Sequence, residues 1–409
     1  MTPVTPDASR PQTILCIASY FKGGAFLEEC KRQGCRVLLV TSDKSEHDPW
    51  PWDSIDDVFY VPGDRDRWHV PDLVKSVSYL ARTEVIDRIV ALDDFDVEKG
   101  GALREHLRVP GMGDTRTRYF RDKLAMRVQA RDEGIPVPPF VHVLNHAKIY
   151  AYTEQVPAPW VLKPRSQASA MGIKKVHSAD QLWPLIEEMG DEQSFFLLEQ
   201  FVPGDIYHVD SVVYDHEVVF ARASRYLDTP MSVAQDGGIF RSQTVEYGTA
   251  EEEALLAMNA DVMKAMGLWR GVSHTEFIRA HADGQFYFLE TSSRVGGANI
   301  AEMVEAASGV NLWQEWARIE TLPRGQAYEA PETRQHHAGI IVSLARQEHP
   351  DTSAYNDAEI IWRMDKKNHA GLIVQSESHA RVKDLLDGYT ERFYADFHAS
   401  VPLGDSAPG

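Results

Sequence analysis

His274-Thr-Glu276-Phe277, followed by Phe288-Leu-Glu290-Thr-Ser292-Ser-Arg294-Val-Gly296-Gly297, is the stretch around which the chain is organised. Glu276 and Glu290 each end a short run typical of a strand, and Asp283-Gly284 between the runs is a strong hairpin signal. A tight hairpin here places the two carboxylates close together on one sheet. Two half-buried carboxylates need a counter-charge, and a hard cation such as Mg²⁺ held with phosphate oxygens is the usual one. An ordinary hairpin with solvated acids is the alternative.

The residues after Glu290 add an arginine and two glycines to this stretch. Arg294 has a guanidinium group that can pair with a phosphate or a carboxylate through two parallel hydrogen bonds. Gly296 and Gly297 allow the backbone to approach a ligand closely. The segment therefore has the chemistry of an anion site beside a metal site.

Composition excludes several classes of partner. The 409 residues are enough for two or three packed units, and 43% of them are hydrophobic. The net charge of −19, without a lysine- or arginine-rich block, argues against nucleic acid or an anionic membrane as the main partner. No signal-peptide pattern or run of transmembrane length is present. Cys16, Cys30 and Cys35 form no metal or disulfide framework, so we expect reduced thiols in a cytoplasmic protein.

The first 112 residues alternate between buried-strand and helix patterns. This alternation predicts a doubly wound α/β domain. The glycine pattern G-x-G-x-x-G is absent, so a dinucleotide site is not supported. The predicted strands are 13–18, 36–41, 57–61 and 88–92, and the predicted helices are 26–33, 72–82 and 97–107.

Two lysines in the next part of the chain stand where they could meet phosphates. Lys123 begins a helix, and Lys163 ends the predicted strand 160–164. The loop 165–172 is rich in small residues and leads to a strand at 173–176, which makes a natural flap with backbone N–H donors for phosphate. A lone lysine at a strand end is more often simply solvated, so Lys163 is a weak signal alone. Further predicted strands are 195–199, 207–213, 217–222, 337–345 and 370–375, and further helices are 250–266, 302–308, 312–319 and 380–387.

Taken together and in order over residues 115–312, these motifs resemble the ATP-grasp superfamily. They are Lys123 at a helix start, Gly134-Ile-Pro-Val-Pro-Pro139, Val161-Leu-Lys163-Pro164 with its flap, Glu199-Gln-Phe-Val202, His274-x-Glu276 and Glu290-x-Ser292-x-Arg294. The resemblance implies a mixed α/β and α+β fold with four parts. These are a doubly wound pre-ATP-grasp domain (1–112), an A subdomain with the phosphate flap (113–190), a B subdomain with the metal site (191–330), and a small C-terminal subdomain with a tail (331–409).

The resemblance also implies roles for individual residues, with ATP and Mg²⁺ or Mn²⁺ as cofactors. Three departures are visible: Ser292 stands where the family often has Asn, Ala170 replaces a flap serine, and Tyr207 replaces the usual ribose-binding acid, which leaves either His208 or no residue for the ribose. The implied catalytic residues are Arg294, Gly297 and Lys163; the ATP-binding residues are Lys123, Lys163, Ser169, Met171, Gly172, Glu199, Phe201, Val202 and His208; the metal ligands are Glu276, Glu290 and Ser292; and the substrate contacts are Arg241, Gly296 and Gly297.

Arg294-Val-Gly-Gly297 is similar to the branch that ligates amino acids. The leading hypothesis is therefore an ATP-dependent carboxylate–amine ligase that forms a peptide-type bond through an acyl phosphate and releases ADP and phosphate. A biotin-carboxylase-like enzyme and a non-catalytic ATP-binding module are the alternatives. We expect small-molecule carboxylate and amine substrates, no nucleic-acid or membrane partner, and a homodimer.

Overall fold

Three β-sheets form the framework of the chain. The computed structural model describes residues 10–65, 67–167, 172–323 and 325–400, with only the backbone described at 234–236. Two of the sheets have four strands, in the orders β3-β2-β1-β4 and β5-β8-β6-β7. The third has eight strands, in the order β13-β12-β9-β10-β11-β14-β16-β15.

The first sheet is parallel and is wound with helices, as predicted. Its central strand, Thr-Ile-Leu-Cys-Ile-Ala, is buried along its whole length, because helices cover both faces of a doubly wound sheet. The elements are β1 (Thr13–Ala18), α1 (Gly24–Arg32), β2 (Arg36–Ser42), β3 (Asp57–Val61), α2 (Val70–Leu80), β4 (Arg88–Ala91) and α3 (Val97–Leu107).

The second sheet is antiparallel and carries the predicted flap region. The helix before it begins at Lys123 because Asp122 caps it, accepting hydrogen bonds from the backbone N–H groups of Leu124 and Ala125. The elements are α4 (Asp114–Thr117), α5 (Lys123–Asp132), β5 (Phe140–His142), α6 (His146–Gln155), β6 (Trp160–Pro164), β7 (Lys174–Val176), α7 (Ala179–Met189) and β8 (Phe196–Gln200).

The eight-stranded sheet contains both the predicted metal hairpin and the strands of the C-terminal part. All of its strand pairs are antiparallel. The elements are β9 (Gly204–Tyr214), β10 (Glu217–Tyr226), α8 (Pro230–Asp236), β11 (Phe240–Thr244), α9 (Ala250–Met266), β12 (Arg270–Ala280), β13 (Phe286–Ser292), α10 (Ile300–Ser308), α11 (Leu312–Thr321), β14 (His337–Leu344), β15 (Ile360–Arg363), β16 (His369–Ser376) and α12 (His379–Asp396).

The elements that sequence patterns missed are mostly short or polar. Strand β11, Phe-Arg-Ser-Gln-Thr, has no apolar run, yet it pairs with β10 and β14 and joins the two halves of the large sheet. The other missed elements include β5, β15, α6 and α7, and α12 extends beyond the predicted 380–387. The domain boundaries 112, 190 and 330 stay predictions.

One hydrophobic core joins the first domain to the large sheet. Phe26 of α1 packs edge-on against Trp316 of α11, with ring centroids 5.2 Å apart, and both side chains belong to this core. Glu29 on the same face of α1 accepts a hydrogen bond from Arg318 Nε of α11 at 3.2 Å. All three cysteines are buried and free, in line with the predicted thiols. None of the described helices has the length and apolar character needed to cross a membrane.

Candidate functional site: a carboxylate hairpin with converging lysines and arginines

The hairpin β12–β13 places the two acids directly opposite each other. Glu276 pairs in register with Glu290, and two positions along the strands His274 pairs with Ser292. Because side chains alternate between faces along a strand, Glu290 and Ser292 share one face. The register of the two strands shifts between Glu276 and Phe277. The regular alternation of side chains is therefore interrupted just after the acids, toward the hairpin turn. The predicted proximity of Glu276 and Glu290 is therefore present.

Lys123 from the start of α5 reaches this hairpin. Its Nζ lies 2.5 Å from Glu290 Oε2 and also donates to the carbonyl of Gln167 at 2.8 Å. Burial acts to raise the pKa of Glu290, but the charges of Lys123 and Lys163 outweigh it, so the pKa lies below its usual range. Glu290 is thus held as a carboxylate with a cation beside it.

A second buried ion cluster surrounds Glu199 of β8. Lys163 Nζ donates to Glu199 at 2.6 Å, and Arg127 Nε of α5 donates to the other carboxylate oxygen at 2.5 Å. Arg127 also donates to the carbonyl of Leu289, so it connects β8 to the β12–β13 hairpin. Burial lowers the pKa of Lys163, and the charge of Glu199 opposes that shift. The ammonium group of Lys163 is therefore kept near the hairpin by a carboxylate on a neighbouring strand.

Asp94 of the first domain completes the site, and the sequence patterns missed it. It accepts hydrogen bonds from the hydroxyl of Ser292 and from Arg121 Nη1, the latter at 2.7 Å, and its Oδ1 lies 4.0 Å from Arg294 Nε. Burial acts to raise the pKa of Asp94, but Arg121 and Arg294 bring it to about 2. The sequence feature that could have identified Asp94 is its position just after the parallel strand β4, because ligands of open α/β sheets bind beyond the carboxyl ends of the strands. The Ser292 hydroxyl is thus turned to Asp94, and its predicted metal contact stays a prediction.

Behind Glu276 lies a buried network of two histidines and an aspartate. Asp210 accepts from His208 Nδ1 at 2.7 Å and from His274 Nδ1 at 2.9 Å. Tyr226 OH donates to Glu276 at 3.0 Å and lies 3.2 Å from His274 Nε2. Burial acts to lower the pKa of His274, but Asp210 raises it to about 9. The network therefore fixes the position of the Glu276 carboxylate from behind.

His208 is placed differently from its predicted ribose contact. It is fully buried, and its second ring nitrogen lies 2.8 Å from the Ser242 hydroxyl. The ligand atoms of His208, Asp210 and His274 lie within 4.8 Å of one another, but each ring nitrogen already has a protein partner. This triad therefore serves as a hydrogen-bonded support, and the structure gives His208 no exposed nitrogen for a nucleotide.

Phe201 and Val202, two residues predicted to bind ATP, lie in the short connection between β8 and β9, which we call the hinge. In the part of the chain that the structure describes, the backbone of Val202 makes no hydrogen bond. Lys175 of β7 lies over the neighbouring ring of Phe201, 3.6 Å from its centroid. Gly172 of the flap is exposed, whereas Ser169 and Met171 lie outside the described residues. The hinge backbone is thus free to pair with a base.

The predicted substrate contacts have different surroundings. Arg241 donates to Asp228 at 2.9 Å and to Thr390 of α12 at 2.9 Å, so it links β11 to the C-terminal helix. A Cβ at Gly296 would lie 2.7 Å from Asp210 Oδ1, so this glycine packs against the histidine network. A Cβ at Gly297 would meet nothing within 4 Å. Gly297 therefore borders open space next to Arg294, and Gly296 does not.

These side chains fit a hard divalent cation. Glu276 and Glu290 are opposed on one sheet, where two like charges are unfavourable without a cation between them. Lys123 supplies one positive charge at Glu290, but Glu276 has only the Tyr226 hydroxyl and His274 beside it in the described residues. Carboxylate oxygens are the ligands that Mg²⁺ prefers. Glu276 and Glu290 would hold Mg²⁺, whose chemistry is to neutralise phosphate oxygens.

Part of the chain is similar to a known protein family and to curated proteins. Residues 130–312 match the family model for the C-terminal domain of D-Ala–D-Ala ligases. An L-arginine-specific L-amino acid ligase of Bacillus subtilis is 27% identical over 242 residues, which are 57% of this chain and 57% of that protein. A D-alanine–D-alanine ligase of Neisseria gonorrhoeae is 25% identical over 220 residues, 52% of this chain and 71% of that protein. The chain thus spans little more than half the length of the Bacillus subtilis relative.

Solved structures with similar folds cover nearly the whole chain. The L-amino acid ligase of Bacillus licheniformis has a TM-score of 0.74 at 15% identity and covers 97% of this chain and 100% of that one. The N5-carboxyaminoimidazole synthetase of Staphylococcus aureus in complex with ADP has a TM-score of 0.70 at 14% identity, covering 92% of this chain and 96% of that one. These matches confirm the predicted fold class and the resemblance that the motifs indicate.

Proposed function

We propose that this chain, a protein of the ATP-grasp fold, is an ATP-dependent carboxylate–amine ligase that forms an amide bond through an acyl phosphate. The observation that carries the proposal is the convergence at one hairpin of Glu276 and Glu290 with Lys123, Lys163 and Arg294. Phosphoryl transfer to a carboxylate needs positioning and charge neutralisation rather than a protein nucleophile. Two acids for a metal and three cations for phosphate oxygens supply those functions.

Each group has a defined task in binding ATP. Val202 and Phe201 hold the adenine at the hinge, where the Val202 backbone is free to pair with it. Lys123 and Lys163 exchange part of their contacts with Glu290 and Glu199 for contacts with phosphate oxygens. Glu199 and Arg127 position Lys163, because they hold it in a buried cluster beside β13. The backbone N–H groups of the flap, including that of Gly172, cover the phosphates.

The reaction has two steps. In the first, a carboxylate oxygen of one substrate attacks the γ-phosphorus of ATP, the bond to the β-phosphate oxygen breaks, and ADP leaves. In the second, the amine of the other substrate attacks the acyl carbon, inorganic phosphate leaves with the electron pair of the broken C–O bond, and the amine gives up a proton. Arg294 lies beside the reacting phosphoryl group, and its planar group can donate two parallel hydrogen bonds to it. Gly297 leaves room for the acyl group because nothing lies within 4 Å of its Cβ position.

Amino acids are the proposed substrates. Two ligases named for amino-acid substrates are similar to this chain over about half its length, at 27% and 25% identity. The open space at Gly297 lies next to a cation, Arg294, that suits a small carboxylate. A homodimer, a cytoplasmic location and the use of Mn²⁺ in place of Mg²⁺ stay predictions.

Trapping with hydroxylamine tests the proposed intermediate. The chain is incubated with ATP, Mg²⁺, hydroxylamine and amino acids, singly and in pairs, and hydroxamate and ADP are measured together. We expect equal amounts of both, and we expect Arg294→Lys to lower turnover more than ATP affinity, since the bidentate contact matters most as charge develops. AMP and pyrophosphate as products would replace the acyl phosphate with an acyl adenylate. A requirement for bicarbonate and biotin would favour the carboxylase alternative.

A further inference from the structure

A small cavity lies between the first domain and the large sheet. Its volume is about 50 Å³, and its lining includes Arg88 of β4, Arg104 of α3 and Arg270 of β12. Ser293, which also lines it, stands in the sequence between the Ser292 and Arg294 of the candidate active site. The cavity thus adjoins the segment that carries the candidate active site, but Glu276, Glu290 and Arg294 are not among its lining residues.

The three arginines bring positive charge that no carboxylate contacts directly. None of them forms an ion pair within 4.0 Å in the described part of the chain. Arg104 and Arg270 are 9% and 8% exposed. The Nε atoms of Arg88 and Arg270 are buried without any hydrogen-bond partner. A buried charge without a partner is costly, so a complementary anion is the expected occupant.

Backbone carbonyls hold the guanidinium groups in place. Arg104 donates to the carbonyls of Ile89 and Met112 at 2.7 and 2.8 Å, and Arg270 donates to that of Leu322 at 3.1 Å. Each group therefore keeps further donors that are not used within the described residues. Arg88 Nη1 likewise donates to the carbonyl of Asp87 at 3.0 Å, so three positioned guanidinium groups, from β4, α3 and β12, line the cavity.

One acid, Glu320 of α11, also lines the cavity. It accepts a hydrogen bond from Trp316 Nε1 at 3.3 Å. Burial raises the pKa of Glu320, while Arg88, Arg270 and Arg104 act in the opposite direction. The lining therefore contains three arginines and one carboxylate, so its side chains carry more positive than negative charge.

We propose that this cavity is a binding site for a small inorganic oxyanion, with phosphate as the representative ligand. Arginine donors from three different elements match an ion that has several oxygens to accept hydrogen bonds. The volume corresponds to the space of roughly three to five water molecules, far less than the several hundred Å³ typical of organic-ligand pockets. A nucleotide or an amino acid is too large for it.

The bound ion would join the first domain to the hairpin. Strand β4 carries Arg88 and continues to Asp94, and β12 begins at Arg270 and carries Glu276. Both strands enter the candidate active site from the cavity. An oxyanion held by both should therefore stabilise the contact between Asp94 and Ser292 as well as the native state as a whole.

Phosphate binding by calorimetry and by thermal unfolding tests this site. The full chain is titrated with sodium phosphate, with sulfate as a second oxyanion and with chloride at equal ionic strength as the control. A non-hydrolysable ATP analogue with Mg²⁺ occupies the proposed active site throughout. We expect saturable binding of one phosphate per chain and a rise in the unfolding temperature that chloride does not produce. Absence of saturable phosphate binding under these conditions overturns the proposal.

Three variants assign the binding to the cavity. Arg270→Gln and Arg88→Gln should each weaken phosphate binding at least tenfold, and circular dichroism in chloride checks that they fold. In Glu320→Gln, the amide oxygen can still accept the hydrogen bond from Trp316 Nε1, and only the negative charge is lost. This variant should therefore bind phosphate at least as tightly as the wild type. Unchanged binding in both folded arginine variants, or lost binding in folded Glu320→Gln, places the ion elsewhere and overturns the proposal.

Discussion

At the scale of single residues, Lys163 depends on its neighbours for its position. It is buried at the end of β6, and the Glu199 carboxylate holds its ammonium group at 2.6 Å. Lys163→Ala should weaken ATP binding by on the order of 2–3 kcal/mol, because a charge-assisted contact to phosphate is lost. Calorimetry with ATP and Mg²⁺ measures the change.

The control for this variant is the exposed Lys148→Ala on α6, which should bind ATP as the wild type does. Circular dichroism should show that both variants fold, since Arg127 still neutralises Glu199 when Lys163 is absent. Equal ATP affinities for the two variants would remove Lys163 from the site.

Two adjacent glycines should respond differently to the same small change. A methyl group at Gly296 would press on Asp210 and on His274 Nδ1, at 2.7 and 3.0 Å, whereas at Gly297 it would enter open space. Gly296→Ala should therefore lower the free energy of unfolding by about 1–3 kcal/mol through overpacking. Gly297→Ala should leave stability unchanged and lower turnover at least about tenfold, because the methyl group takes the room of the acyl group.

Chemical denaturation and steady-state kinetics on the same preparations separate these two effects. Gly284→Ala, at a hairpin turn remote from the acids, serves as a control for stability changes that leave turnover intact. Full activity of Gly297→Ala would mean that the acyl group lies elsewhere.

At the scale of elements, the β12–β13 hairpin acts as one unit. Its two acids face each other in register, so a metal bound there contacts both. Glu276→Gln and Glu290→Gln should each lower Mg²⁺-dependent turnover at least about a hundredfold, equal to about 2.7 kcal/mol. The double variant should be little worse than either single one, because residues that act as a unit are not additive.

Turnover measured over a range of Mg²⁺ concentrations provides the test for the pair. Glu251→Gln, which contacts Arg279 at the outer end of β12, is the matched control and should retain activity. Effects of the two single variants that simply multiply in the double variant would contradict a shared metal.

At the scale of the whole molecule, the contact between α1 and α11 attaches the first domain to the large sheet. Glu29 is buried there and accepts hydrogen bonds from Arg32 and Arg318. Burial acts to raise the pKa of Glu29, but the hydrogen bonds from Arg32, Gln33 and Arg318 outweigh it, so the pKa lies below its usual range. Because the folded-state pKa is the lower one, this group stabilises the fold above the unfolded pKa of about 4.3 and ceases to do so as the pH falls through the folded pKa.

Glu29→Gln should therefore lower the free energy of unfolding by about 1–3 kcal/mol at neutral pH. The substitution replaces a buried carboxylate, which accepts hydrogen bonds from charged donors, with a neutral amide. The difference from the wild type should shrink below pH ~4, where the wild-type carboxyl also takes up its proton. Urea denaturation at pH 7 and in the acid range gives both values. The neighbouring exposed Glu28→Gln is the control, and an equal loss in it would remove the domain contact as the cause.

The amino-acid sequence by itself determined the β12–β13 hairpin and which residues of its two strands lie opposite each other. Asp283-Gly284 defines the turn locally, and a turn together with strand alternation sets which residues face each other, so Glu276 opposite Glu290 follows from neighbours in sequence. The buried strand β1 and the capped helix start at Lys123 are likewise local patterns, and both lie where the sequence predicts them. The convergence of Lys123 on Glu290 followed only from the resemblance of the ordered motifs to a known superfamily.

Only the tertiary structure decided which distant side chains complete the site. Asp94 meets Ser292 across 198 positions of sequence, Arg127 joins Glu199 to β13, and His208 turns inward to Asp210. Strand β11 is polar, yet it lies inside the large sheet because its backbone pairs with β10 and β14. Periodicity and turn chemistry act over a few residues, whereas these contacts depend on how whole sheets and helices pack, and packing carries no local signal in the chain.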